Sequence, residues 1–177
     1  MYGVAVLGAD AIKELIENRS LISDYIDMDR QLQGAGFDLT VGEIEIISET
    51  RENCGYIDFS NIKRKLPGLN TLDTDDMCWN IEKGGYYLVR VNEVIKLPPF
   101  LIAEFKPRSS LMRMGGDIVS AWVDPGYQGR LQFGLVAYSS FKVEKNARIA
   151  QIIFIKTDTY KLYEGRYQNE GLIDEIR

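Results

Sequence analysis

From Phe37 to Lys156 the apolar residues come in short runs, each about one strand long and each ended by a turn signal. This pattern constrains the fold more than any other feature of the chain. The runs are Phe37–Val41, Glu43–Ile47, Tyr86–Val91, Phe100–Phe105, Ile118–Val123, Leu131–Tyr138 and Ala150–Lys156. They alternate or are continuously apolar, as half-buried and fully buried strands are. The punctuation is Gly34-Ala35-Gly36, Gly84-Gly85, Pro98-Pro99, Gly115-Gly116 and Pro125-Gly126. Helical spacing is confined to residues 9–22. There Ile12, Leu15, Ile16, Leu21 and Ile22 share a stripe opposite Lys13, Glu14, Glu17 and Asn18, and Asp10 is placed to cap the N-terminus. The expectation is an all-β domain of sandwich, jelly-roll or barrel type with one leading helix. Residues 48–80 have few periodic apolar positions and read as an excursion or lid over the β-core. No internal repeat is present, and 177 residues suit a single domain, 1–177, with a polar, tyrosine-bearing tail at 160–177.

Composition excludes several kinds of chemistry. The chain has no histidine. That removes Ser-His-Asp triads, Cys-His pairs, HExxH zinc sites and any histidine acid or base. Its two cysteines, Cys54 and Cys78, can neither complete a four-ligand zinc site nor form a disulfide framework, and they read as reduced thiols of a cytoplasmic protein. No apolar run reaches the length of a membrane-spanning helix, and the apolar Met1–Gly8 lacks the basic flank and cleavage site of a signal peptide. A net charge of −5 and a pI near 4.9 argue against nucleic acid as a partner. Chemistry therefore rests on carboxylates, Lys and Arg, hydroxyls, backbone dipoles or a carboxylate-bound metal.

Four segments combine a turn with polar groups that a core strand does not need. In Gly34-Ala35-Gly36-Phe37-Asp38-Leu39 the glycines permit close backbone approach, and Asp38 points away from its apolar neighbours. In Lys106-Pro107-Arg108-Ser109-Ser110-Leu111 a strand ends at the proline. Ser109 or Ser110 is expected to cap a short helix before Gly115-Gly116, and Arg108 adds a forked donor suited to phosphate. Val123-Asp124-Pro125-Gly126-Tyr127-Gln128-Gly129 is a strong turn whose aromatic residue and glycines suit a flat base and a sugar. Asn146-Ala147-Arg148-Ile149-Ala150-Gln151 places Arg148 and Gln151 at the entry to an apolar strand.

In this order the four segments resemble the four motifs of the trimeric dUTPase and dCTP deaminase superfamily. Within it, the leading helix followed by Gln31-Leu32-Gln33-Gly34-Ala35-Gly36-Phe37-Asp38, together with Tyr163-Glu164-Gly165-Arg166-Tyr167-Gln168, is similar to the dCTP deaminase-like branch and its archaeal-type dUTPases. The likeness spans most of the chain and is weakest across 48–80. It implies a distorted β jelly roll, a homotrimer with shared active sites, and Mg2+ carried by a nucleotide triphosphate. It also implies that Arg108, Ser109, Ser110 and Gln151 hold phosphates and that Asp124 orients the attacking water and meets the sugar 3′-hydroxyl. Tyr127 would lie under the deoxyribose, and Asp38 would reach the metal through water. Gln128, Tyr167 and Gln168 are implied substrate contacts, the last two with Arg166 closing the tail over the nucleotide.

The resemblance covers two activities with different requirements. Deamination in this superfamily uses a glutamate in the strand after the third motif as general acid and base. The matching position here is Gly134, and neither Gln132 nor Val136 supplies a carboxylate if the register slips. The segment between Gly115 and Asp124 is also short and lacks the deaminase pattern. Phosphoanhydride hydrolysis keeps its parts: a positioned water, a carboxylate and charge neutralisation at the phosphates. The reading is a dUTP diphosphatase that makes dUMP and pyrophosphate. A dCTP deaminase, a bifunctional enzyme and a non-catalytic nucleotide-binding regulator are the alternatives. The Gly-rich tail usual in trimeric dUTPases is not present.

Overall fold

The computed structural model describes residues 5–48, 50 and 54–172. The first four residues of the apolar N-terminus and the last five of the expected tail lie outside the described residues. The chain opens with α1 (Ala9–Arg19), which buries Ile12 and Ile16. This helix is shorter than residues 9–22. Ser20 turns left-handed at φ 55° and its N–H closes on Ile16 O, so Leu21 and Ile22 enter the core as the start of a strand. Asp10 lies in the first turn, not at the cap, which is Gly8.

Then come β1 (Ile22–Ser23), α2 (Met28–Gln31), β2 (Leu32–Gln33), β3 (Gly36–Ser48), β4 (Gly68–Thr71), β5 (Cys78–Ile81), β6 (Tyr86–Lys96) and β7 (Leu101–Pro107). The rest is α3 (Ser109–Arg113), β8 (Gly116–Val119), β9 (Gln128–Ala137), β10 (Phe141–Glu144) and β11 (Arg148–Lys156). The main sheet runs β7-β11-β3-β6-β9-β8, with β1 on β6 and with β2 and β4 on β3; β5 and β10 form a separate ribbon. All the strand pairs are antiparallel. Ala103 of β7 exchanges backbone hydrogen bonds of 3.1 and 2.8 Å with Val123, just beyond β8, so the two ends of the sheet nearly meet. This is the mostly β, nearly closed architecture of the expected jelly roll. Phe37, Leu39, Val89, Leu101, Ala103, Leu135, Ile152 and Phe154 fill it, each at most 2% exposed.

The runs Phe37–Val41 and Glu43–Ile47 are one strand, bulged at Gly42 where β3 shifts register against β6. Ile118–Val123 is not one strand: pairing with β9 ends at Val119. Residues 48–80 hold β4 and all of β5 but its last residue. The cap of α3 is Arg108, without a side-chain cap bond, and Ser109 and Ser110 are its first helical residues. No described helix is long and apolar enough to cross a membrane.

Candidate active site

Strand alternation sends Phe37 and Leu39 into the core and Asp38 to the opposite face. Asp38 is nevertheless 1% exposed, because side chains from two neighbouring elements cover it. Its Oδ2 lies 2.9 Å from Arg108 Nε, at the end of β7, and 3.3 Å from Arg148 Nη1, at the start of β11. Its Oδ1 faces Gln151 Nε2 at 3.5 Å. The register explains the meeting: Asp38, Gln151 and Lys106 stand opposite one another across β3, β11 and β7. Arg108 Nη1 donates to Arg148 O at 3.0 Å, and Arg148 Nη1 donates to Arg30 O. Burial pushes the Asp38 carboxyl upward, and the two guanidiniums and the Gln151 amide oppose that push. Two cations share one carboxylate, and each guanidinium is about one-third exposed. The cluster thus turns spare N–H donors and a surplus positive charge toward solvent, which suits a polyanion.

The second cluster is the turn after β8. Pro125 and Gly126 at its centre, with Gly126 at φ 82° and Tyr127 N donating to Asp124 O at 3.2 Å, make a turn that requires glycine at its third position. Asp124 is exposed at its head. Tyr127 is 4% exposed and packs edge-on against Tyr163 at 5.5 Å. Residues 163–170 strap the turn down. Tyr163 N donates to Pro125 O, Asn169 N to Gln128 O and Arg130 N to Glu170 O, at 2.7 to 2.8 Å. Gln168 uses both ends of its amide on the turn, accepting from Gln128 N and donating to Gly126 O, each at 3.0 Å. Tyr167 is half-buried, with the Arg64 guanidinium 5.7 Å from its ring centre.

The hydroxyl of Tyr127 finds no hydrogen-bond partner among the described residues. Burial, with Glu170 and Tyr163 nearby, pushes its pKa well above the ordinary value near 10. Above pH 10 the unfolded chain releases this proton while the folded one keeps it, so stability falls as pH rises. Tyr127→Phe removes an unpaired buried hydroxyl and this linkage together. The variant is expected to melt at or slightly above the wild-type temperature at pH 8. Its advantage should then widen beyond pH 10, by up to about 1.4 kcal/mol per pH unit. Thermal melts across pH 8–11 measure it, and an advantage that stays constant counts against this account.

Between the strap and β8 lies an open stretch of strand edge. Arg130 N points away from β6 toward Glu170, so by alternation the backbone of Gln132 faces the same way, where no described strand pairs with it. Beside it stands Gly134, opposite Leu88 on β6 and Val119 on β8. Tyr86 lies across Gly134: a Cβ there would sit 2.4 Å from its Oη and 2.8 Å from its Cζ.

The structure therefore joins Asp38, Arg108 and Gln151, with Ser109 and Ser110 beside them in sequence, and separately joins Asp124, Tyr127, Gln128, Tyr167 and Gln168. Val123 sits at Ala103, and Arg108 follows five residues later, just past the end of β7, roughly 16 Å away. Sequence reasoning noted Arg148 without giving it a role. Its partner became visible only when β11 was laid against β3. The buried Glu93 on β6 carried no sequence signal beyond the polar pair Asn92-Glu93 that interrupts an otherwise alternating run.

A family model described as dCTP deaminase-like matches residues 6–157. The chain belongs to the dCTP deaminase-like family. The matched span takes in every strand of this family member and both clusters except the strap. A probable deoxyuridine 5'-triphosphate nucleotidohydrolase of Archaeoglobus fulgidus is 36% identical over 172 residues, 96% of this chain and 99% of that protein. The deoxyuridine 5'-triphosphate nucleotidohydrolase of Methanocaldococcus jannaschii is 37% identical over 165 residues, 92% of this chain and 98% of that one. A dUMP-forming dCTP deaminase of Persephonella marina is 32% identical, covering 93% and 92% of the two chains. Among solved structures, a deoxycytidine triphosphate deaminase of Agrobacterium tumefaciens shares the fold with a TM-score of 0.64 and 22% identity, over 88% of this chain and 49% of that one.

Proposed function

We propose that this member of the dCTP deaminase-like family is a dUTP diphosphatase, converting dUTP to dUMP and pyrophosphate and so keeping uracil out of DNA. The observation that carries the choice over deamination is Gly134. No proton-transfer group stands there, and the Tyr86 ring fills the space that a side chain would need. The relatives named as nucleotidohydrolases support the same choice.

In this reading Asp124 orients a water and accepts its proton as the water oxygen attacks the α-phosphorus. The bond to the bridging oxygen breaks and pyrophosphate leaves. Arg108, Ser109, Ser110, Arg148 and Gln151 hold the phosphates. Tyr127 supports the deoxyribose, and the free backbone edge at Gln132 reads the uracil, with Gln128, Tyr167 and Gln168 holding the turn and strap around it. In one chain Arg108 lies roughly 16 Å along the sheet from the residue pair that holds the Asp124 turn. That separation supports a homotrimer in which one copy supplies the turn and another the arginines.

The donor set suits a metal ion that arrives with the nucleotide. No cluster of three or more acidic or cysteine ligands exists among the described residues, and Asp38 is committed to two guanidiniums. Mg2+ bound to the triphosphate would offset phosphate charge, and Asp38 would meet it through water. We place the reaction in the cytoplasm, where Cys54 and Cys78 stay free as they are here.

Chromatography of products from dUTP and from dCTP, each with Mg2+, tests the reading. dUMP from dUTP with dCTP untouched supports it. dUTP or dUMP from dCTP would establish a deaminase or a bifunctional enzyme, and binding without product a regulator. Gly134→Ala is expected to push the half-exposed Tyr86 ring aside. KM for dUTP should rise about threefold and the melting temperature should fall by roughly 2–4 °C. Kinetics and melts of the variant check both.

A further inference from the structure

Glu93 is fully buried, yet no described cation pairs with it. It sits where β6 carries three residues, Val91–Glu93, against the single Leu131 of β9, and this bulge turns its carboxylate inward. Among the described residues, its donors are neutral. Thr40 N donates to Oε2 at 3.0 Å, Thr40 Oγ1 to Oε1 at 2.6 Å and Gln31 Nε2 to Oε1 at 2.7 Å. Burial pushes its pKa upward, and these hydrogen bonds hold part of that back. Keeping a carboxylate in an apolar core without a counter-charge is costly.

Its partners show what it holds. The edge of β3 toward β6 is paired by β2 at residues 36 and 37 and by β6 from Val41 onward. Between them the Asp38 carbonyl and the Thr40 N–H have no strand partner on that side among the described residues, and buried backbone groups must be satisfied. Gln31 Nε2 donates to Asp38 O at 2.8 Å while it also donates to Glu93, and Glu93 takes the Thr40 N–H. Gln31 is itself fixed, its Oε1 accepting from Ile26 N and Asp27 N at 2.8 and 2.9 Å. Glu93 and Gln31 thus replace the missing strand across Asp38. The side chain of Asp38, on the other face, is the common anchor of Arg108 and Arg148.

We propose that Glu93 is a positioning residue for triphosphate binding: from the core it fixes the Thr40 N–H directly and the Asp38 carbonyl through Gln31, and through Asp38 it aims Arg108 and Arg148 at the β- and γ-phosphates. This rests on the dUTP reading of the site. The role of Glu93 is geometric, so its loss should be felt by ligands that carry those phosphates and not by the nucleoside end of the substrate.

The test compares wild type, Glu93→Gln, Asp38→Asn and the double variant, by steady-state hydrolysis of dUTP and by calorimetric binding of magnesium pyrophosphate and of dUMP. Glu93→Gln is expected to raise KM for dUTP about tenfold and to weaken pyrophosphate by a similar factor. dUMP affinity should change less than twofold. Asp38→Asn should do the same, and the double variant should be within twofold of Asp38→Asn, because both act through one anchor. A lowered melting temperature with unchanged KM and pyrophosphate affinity overturns the proposal, and so does a multiplicative double variant. Should Glu93→Gln fail to fold, Thr40→Val removes one donor to Glu93 and is expected to weaken pyrophosphate about threefold, with Thr40→Ser restoring it; no weakening overturns the proposal. If wild type hydrolyses no dUTP, the diphosphatase reading falls, while pyrophosphate binding by the same variants still decides for or against Glu93.

Discussion

Asp124→Asn is expected to lower kcat for dUTP hydrolysis on the order of 10³-fold while dUTP still binds within a few-fold of wild type. The asparagine keeps the size of the side chain and its ability to meet a sugar hydroxyl, but it cannot accept a proton from the attacking water. Loss of a general base costs about 10²–10⁴-fold in rate, which sets the magnitude. The turn should survive the change. Its geometry is set by Pro125, by Gly126 at φ 82°, by the Tyr127 N to Asp124 O hydrogen bond and by the strap of residues 163–170, none of which uses the carboxylate. Asp124 is exposed, so its replacement leaves no buried group unpaired. Rapid-quench turnover with dUTP, paired with equilibrium binding of a non-hydrolysable dUTP analogue, separates the two effects. Turnover within tenfold of wild type would remove Asp124 from the chemistry. Loss of binding in step with turnover would make it a substrate contact and nothing more.

Gly36→Ala is expected to be the most damaging single-atom addition near the phosphate side. A Cβ at Gly36 would lie 2.5 Å from Ile152 O and 2.9 Å from Gln151 Cγ. The first of these is backbone in the adjacent strand, so β3 and β11 would have to move apart. They are the strands that bring Asp38 against Arg148 and Gln151. Overpacking of this kind costs about 1–3 kcal/mol and sometimes more. For a chain of this length that is a fall of roughly 2–12 °C in melting temperature. KM for dUTP should rise with it, by about tenfold, because the guanidiniums lose their shared anchor. Gly34→Ala is the control. No atom lies within 4 Å of a Cβ there, so its melting temperature and KM should match wild type within error. Differential scanning calorimetry and steady-state kinetics on the pair decide the matter, and equal behaviour of the two variants would show that close approach at Gly36 has no consequence.

The two halves of the site differ in how far they could be read from the sequence. Asp38, Arg108 and Asp124 each stood beside a turn signal where an apolar run begins or ends, so their types and positions marked them without any coordinates. Arg148 was visible only as a polar residue at a strand entry. Its meeting with Asp38 depends on a register between strands more than a hundred residues apart in sequence, and no local pattern carries that. Gln168 looked like a substrate contact. In the structure its amide spans the backbone of the Asp124 turn, a position that follows from how the tail folds back over the sheet. Asp10 and the serines of α3 show the limit of cap assignment by residue type, since the helices begin where the backbone leaves the preceding segment, at Gly8 and Arg108.

The sequence by itself determined the mostly β class, the leading helix but not α2 behind it, the absence of histidine chemistry and the identity of the polar residues at the turns. These are local properties: side-chain periodicity, glycine and proline placement, and the inventory of titratable groups. Only the tertiary structure decided which polar residues meet. It placed two arginines on one buried carboxylate, laid Tyr86 over Gly134, strapped the tail to the turn, and left Glu93 in the core to complete an edge of β3 that no described strand covers. Each of these depends on bulges and on the register of antiparallel strands. Side-chain alternation repeats every two residues, so the same apolar pattern permits several registers. The choice among them is made by the packing of the whole sheet.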